Sequence, residues 1–132
     1  MHKTYLILAA VFGGLAVAIG AFGAHGLHQL TSDEKIISGL QTGAQYQMYH
    51  ALALLAVGIL YSQFGGKPLR RAAICFIGGI LLFSGSLYLL TFLKIQGSAA
   101  ARIVGPATPL GGVLFILGWV FLLVALTGSR KS

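Results

Sequence analysis

Hydrogen-bonding side chains in apolar surroundings gather mainly in one stretch of this chain, "QTGAQYQMYH", Gln41 to His50. Tyr46 and His50 stand four residues apart and Gln47 three before His50, so on a helix the three share a face. Gln45 immediately precedes Tyr46, and other parts of the chain supply His25, His28, Tyr88, Thr91 and Thr108. Three chemistries suit such a set. Its amides, hydroxyls and neutral imidazole can hydrogen-bond between helices and fix their packing. They can instead form a small site for a polar headgroup, a quinone carbonyl or a proton relay, because polar groups inside a membrane face the protein interior or a pathway. Or His25, His28 and His50 can ligate a metal. With no acid or thiolate near these histidines that spacing carries little, and neither a metal nor another cofactor is expected. The only acids, Asp33 and Glu34, sit where a helix begins and are explained by capping. No catalytic residue is therefore assigned, and enzymatic chemistry is not the expectation.

The solvent around these residues must be lipid. Of 132 residues 57% are hydrophobic and 8% charged, against roughly 25% charged in an ordinary soluble domain. The nine Lys and Arg against two acids give a net charge of +7, yet they are scattered singly or in short clusters between apolar runs. That distribution marks one side of a membrane and does not form a phosphate-binding stripe, so no nucleic-acid partner is expected. Cys75 is the single cysteine, which excludes an intramolecular disulfide.

Four runs lack Lys, Arg, Asp and Glu, and each can supply the roughly 20 apolar residues a spanning helix needs. The expected spans are about 4–24, 45–64, 72–93 and 109–127. The first is long enough to be a retained helix rather than a cleaved signal. The fold class expected is all-α, an integral membrane four-helix bundle forming a single domain over residues 1–132. Thr31 and Glu34 have capping-box spacing ahead of an amphipathic segment. A short interfacial helix at about 32–43, turning into the membrane near Gly43, is expected between the first and second spans. Lys3, Lys67, Arg70, Arg71, Arg130 and Lys131 fall on one side, and Lys35, Lys94 and Arg102 on the other. The positive-inside rule then places both termini in the cytoplasm, or in the matrix of a mitochondrial protein. Counting back from Phe64 puts Gln45 and Gln47 near the outer interface and His50 deeper, in the outer half of the bundle.

Three helices share a pattern of two adjacent glycines and a third six residues after the second: Gly13, Gly14, Gly20; Gly78, Gly79, Gly85; Gly111, Gly112, Gly118. Residues seven apart lie two turns apart on one face, so each helix is expected to offer a small-residue groove to a neighbour. These glycines lie inside spans, where no phosphate would bind.

"GAFGAHGL" (Gly20 to Leu27), "YQMYHALALL" (Tyr46 to Leu55), "GGILLFSGSLYLL" (Gly78 to Leu90) and "GPATPLGGVLFILGW" (Gly105 to Trp119) resemble, in order and over nearly the whole chain, the family called domain of unknown function 423. The resemblance implies a small multi-pass protein of a bacterial inner membrane, with eukaryotic relatives and no established activity, and it gives His25, Tyr46, Gln47, His50 and Tyr88 no role. The expectation is a lipid-, quinone- or small-molecule-binding or accessory membrane protein, with an oligomeric small transporter or channel subunit as the alternative. Expected partners are membrane lipid and either further copies of the chain or another membrane protein.

Overall fold

The structure, a computed structural model, describes residues 1–128. Arg130 and Lys131, counted above with the basic side, lie outside the described residues. Four long helices form the molecule: α1 (Lys3–Ala24), α2 (Glu34–Phe64), α3 (Gly66–Ile95) and, after the single turn α4 (Ala101–Val104), α5 (Ala107–Thr127). A 3₁₀ turn, Gly26–Gln29, follows α1, and a π turn, Ile80–Ser84, interrupts α3. Among the described residues there is no strand.

Neighbouring helices run antiparallel. Near one end of the α1–α2 pair, the His2 amide donates to the Gly58 carbonyl at 2.8 Å and His2 lies edge-on to Tyr61; near the other end Gly23 faces Leu40. Gly43 faces Tyr88 between α2 and α3, and between α3 and α5 Phe76 meets Gly118 while Ser86 bonds Thr108. Arg71 stacks over Phe121, so Lys3, Arg71 and the end of α5 share one end of the bundle. Lys35 and Lys94 line one crevice at the opposite end.

Among the described residues three helices are long and apolar enough to cross a membrane: α1 with its following turn, α3, and α4 with α5. The remaining expected span, 45–64, is the second part of α2. Its amides and histidine lower its hydropathy, but Gln47 and His50 are turned inward and covered by the other helices. Lipid can therefore surround a helix that is only moderately apolar, because the polar groups find partners inside.

The segment expected as a separate interfacial helix is helical, but it continues into the span. α2 runs unbroken through Gly43 for 31 residues, about 46 Å at about 1.5 Å per residue. Gly43 is there for contact: a Cβ would come within 2.8 Å of Tyr88. The cap also differs from the capping box expected of Thr31 and Glu34. Asp33 is the capping residue, accepting from the Lys35 amide at 3.0 Å, while Thr31 accepts from the Asp33 amide at 3.1 Å. Glu34 is thus the first helical residue, not the third, and cannot close the reciprocal bond.

α2 passes into α3 through Gly65 and Gly66 at φ 34° and 80°, values that favour glycine, and Pro68 then falls in the first turn of α3, where its missing N–H is harmless. The core has two apolar clusters. One, toward the Lys3–Arg71 end, gathers Leu54, Val57, Leu69, Phe76 and Leu122; the other, toward the Lys35–Lys94 end, gathers Leu27, Ile37 and Leu40. The buried polar residues, Gln47, His50, Ser84, Ser86 and Thr91, belong to neither cluster.

The glycine pattern is used unevenly. A Cβ on Gly79 would run into the Phe115 ring, one on Gly111 into the backbone nitrogen of Phe83, and one on Gly118 would come within 2.6 Å of Phe76. Gly78 faces Leu114 at 3.3 Å, and Gly13, Gly20 and Gly112 have room for a methyl group in ordinary contact. Gly14 has no neighbour within 4 Å, and Gly85 meets only the Ile80 carbonyl of its own helix. These two do not form packing grooves within the chain. For Gly85 the cause is the intervening π turn: a wider turn rotates everything beyond it, so residues seven apart no longer share a face.

Candidate functional site, a polar layer flanked by two grooves

Gln47 joins three helices. Its side-chain nitrogen donates to the Phe12 carbonyl of α1 at 2.7 Å, and its side-chain oxygen accepts from the Tyr88 hydroxyl of α3 at 2.7 Å. Beside it the Ser84 hydroxyl donates to the Gly43 carbonyl at 2.7 Å. The π turn sets Ser84 there, and the absent side chain at Gly43 leaves its carbonyl accessible.

His50 joins α2 to α5. Its Nδ1 lies 2.7 Å from the Tyr46 carbonyl, its Nε2 accepts from the Trp119 indole at 3.1 Å, and its ring stacks on Phe115 with centroids 3.5 Å apart. Both ring nitrogens are thus occupied in a neutral imidazole. Thr108 pairs with Ser86 between α5 and α3, and Thr91 donates to the Leu87 carbonyl of its own helix at 2.8 Å. Among the described residues no buried side-chain nitrogen or oxygen lacks a partner.

The structure therefore divides the expected set. Gln47 and Tyr88 form one bonded group; His50 and Thr108 belong to separate contacts with α5. His25 and His28 are exposed beyond the end of α1, and among the described residues no three of His, Cys, Asp and Glu come together to hold a metal. Gln45 points away from the layer, and Tyr46 lies at the surface with its ring 4.9 Å from Phe83.

Trp119, which was not in the expected set, is the hydrogen-bond partner of His50. Ser84 and Ser86 were missed as well. Ser84 stands four residues before Tyr88, a spacing that could have flagged it; Trp119 gave no signal beyond its place one residue after Gly118.

Among the described residues the two most spacious grooves lie on different sides of α2. The first, about 500 Å³, lies between α2, α3 and α5, walled by the rings of Tyr46, His50, Phe83, Phe115 and Trp119 with Gly112 and Pro109 beside them. The Tyr46 hydroxyl forms no hydrogen bond among the described residues. The second, about 490 Å³, lies between α1 and α2, with Ser38, Gln41, Thr42 and Gln45 on one wall and Ala16, Val17 and Gly20 on the other.

A family model described as "Protein of unknown function (DUF423)" matches residues 19–112. The chain is 44% identical to the UPF0382 membrane protein YwdK of Bacillus subtilis, over 93% of its own length and 95% of that relative's. It is 43% identical to a UPF0382 membrane protein of Haemophilus influenzae, over 100% and 98% of the two chains. A UPF0382 membrane protein of Schizosaccharomyces pombe is 38% identical over 89% of this chain and 96% of that relative. No solved structure matches.

Proposed function

The chain belongs to the DUF423 family of membrane proteins of unknown function, and we propose that it binds a lipid-soluble molecule with a planar ring, of the quinone class, in the aromatic groove between α2, α3 and α5. In this reading it sits in a bacterial inner membrane with both termini in the cytoplasm, and the groove opens sideways to lipid in the outer half of the bilayer. The carrying observation is the groove's make-up. Ring walls favour stacking with a flat ring, and the free Tyr46 hydroxyl beside them can donate to a ring carbonyl. His50 serves as a wall and not as a proton carrier, because both its nitrogens are engaged.

The alternative, a transporter or channel subunit, needs a polar face that continues across the membrane. From Ala51 to Leu60 α2 has no polar side chain, and this favours a one-sided site.

Trp119 is the only tryptophan, so its emission reports directly on the groove. The test is titration of the protein in phosphatidylcholine nanodiscs with decylubiquinone. Saturable quenching that disappears in Gly112→Leu supports binding. Quenching that rises linearly and equally in both proteins is collisional and rejects the proposal. A Cβ at Gly112 would lie 3.8 Å from Phe83, so the backbone tolerates the branch and the leucine fills the groove.

A further inference from the structure

The groove between α1 and α2 has a different chemistry. Ser38, Gln41, Thr42 and Gln45 recur at three- and four-residue spacing along one face of α2, and none of the four side chains forms a hydrogen bond among the described residues. The opposite wall is small and apolar, from Ala16 to Gly20 of α1. Counting from Phe64, about 20 residues of α2 cross about 30 Å of hydrocarbon and end near Ala44. Gln45 then stands at the hydrocarbon boundary, and Thr42, Gln41 and Ser38 rise through the layer where lipid headgroups lie.

We propose that this groove binds a membrane lipid whose uncharged head carries several hydroxyl groups, as in a glycosyl diacylglycerol. No Lys, Arg, His, Asp or Glu lines it, and a phosphate or carboxylate head would call for a cation. The amides of Gln41 and Gln45 each present donors and an acceptor together, the match for a hydroxyl that also does both. Lys35, the nearest cation along the helix, lines a separate crevice with Lys94. The apolar wall accepts the first carbons of an acyl chain, and Gly20 leaves it room beside Ala44. This site is independent of the aromatic groove, which lies on the side of α2 facing α5.

The test uses the full chain in nanodiscs of equal parts phosphatidylcholine and monogalactosyl diacylglycerol, released and weighed by native mass spectrometry. The wild type is expected to retain the glycolipid in preference to phosphatidylcholine. In Gln41→Leu/Gln45→Leu that preference falls about tenfold, as the loss of two modest hydrogen bonds implies. Both amides are exposed, so Trp119 emission and the melting temperature should not move. If the double variant does not fold, Ser38→Ala/Thr42→Val makes the same test. Equal retention of both lipids by the wild type, or an unchanged preference in the variant, overturns the proposal. So does a glycolipid-free dimer that the variant converts to monomer, since a second copy would then fill the groove.

Discussion

The indole N–H of Trp119 donates to Nε2 of His50 across 3.1 Å, and this bond decides what the buried imidazole can be. An indole nitrogen only donates, so Nε2 accepts, and the ring hydrogen sits on Nδ1, which gives it to the Tyr46 carbonyl at 2.7 Å. The histidine is a neutral connector between α2 and α5. Its polarity in a span is explained by that bond, with no proton to carry.

Removing the acceptor should be visible at the donor. His50→Leu leaves the Trp119 N–H without a partner, so the emission maximum should move to shorter wavelength and stability should fall by about 1 kcal/mol. Both are read from fluorescence and unfolding of the purified protein in mixed micelles. An unchanged spectrum would mean that the bond does not form in solution.

Gln47 and Tyr88 should be coupled energetically. Gln47→Leu removes bonds to both α1 and α3, whereas Tyr88→Phe removes one of them. A double-mutant cycle is expected to give about 0.6 kcal/mol and at most about 1.7, the range for hydrogen bonds between helices in lipid. Strict additivity in unfolding measurements would show that the pair does not interact. The Phe12 carbonyl belongs to α1, where the helix ladder can still satisfy it, so the single Gln47 variant should not exceed a few kcal/mol.

Glycines of the same sequence pattern should differ sharply. Gly111→Ala forces a methyl group into the backbone of Phe83, which cannot yield without separating α3 from α5, and should cost about 1–3 kcal/mol. Gly14→Ala and Gly85→Ala meet no other element and should be neutral or slightly stabilising through helix propensity. Thermal unfolding of the three variants checks the order. Equal losses would indicate that Gly14 and Gly85 are buried against another chain.

The contrast among these glycines shows what the sequence made legible. Hydrophobic runs and the long spacing between charges defined the helices and their antiparallel order, because lipid permits few other solutions. Helical spacing put Tyr46, Gln47 and His50 on one face, of which the structure turns Gln47 and His50 inward and leaves Tyr46 at the surface. Tyr88 stood in the expected set without Gln47 being identified as its partner. Register between helices was not legible. It depends on which ring fills which glycine notch, and the π turn at Ile80–Ser84 shifts α3 by a fraction of a turn that no local pattern announces. That shift is tied to the bond between Ser84 and Gly43, and Trp119 reaches His50 from α5 only once the helices are packed. Likewise a bend was expected at Gly43 because one straight helix to Phe64 is longer than the hydrocarbon is thick; Tyr88 makes this buried glycine a contact instead.

The orientation of the bundle determines which leaflet the two grooves face, and it can be tested without either ligand. Cys75 is buried and its Cβ faces Gly118, so Cys75→Ala removes the native thiol with little change of volume. In that background Lys35→Cys and Lys67→Cys place single thiols at exposed positions on opposite ends. With both termini cytoplasmic, as the basic residues Lys3, Lys67, Arg70 and Arg71 imply, a membrane-impermeant maleimide should label position 35 in intact cells. Position 67 should react only after permeabilisation. The reverse pattern would put Ser38, Gln41, Thr42 and Gln45 at the cytoplasmic leaflet and make its lipids the ones to test. Labelling of both positions in intact cells would mean a mixed orientation, which the charge difference across the bundle argues against.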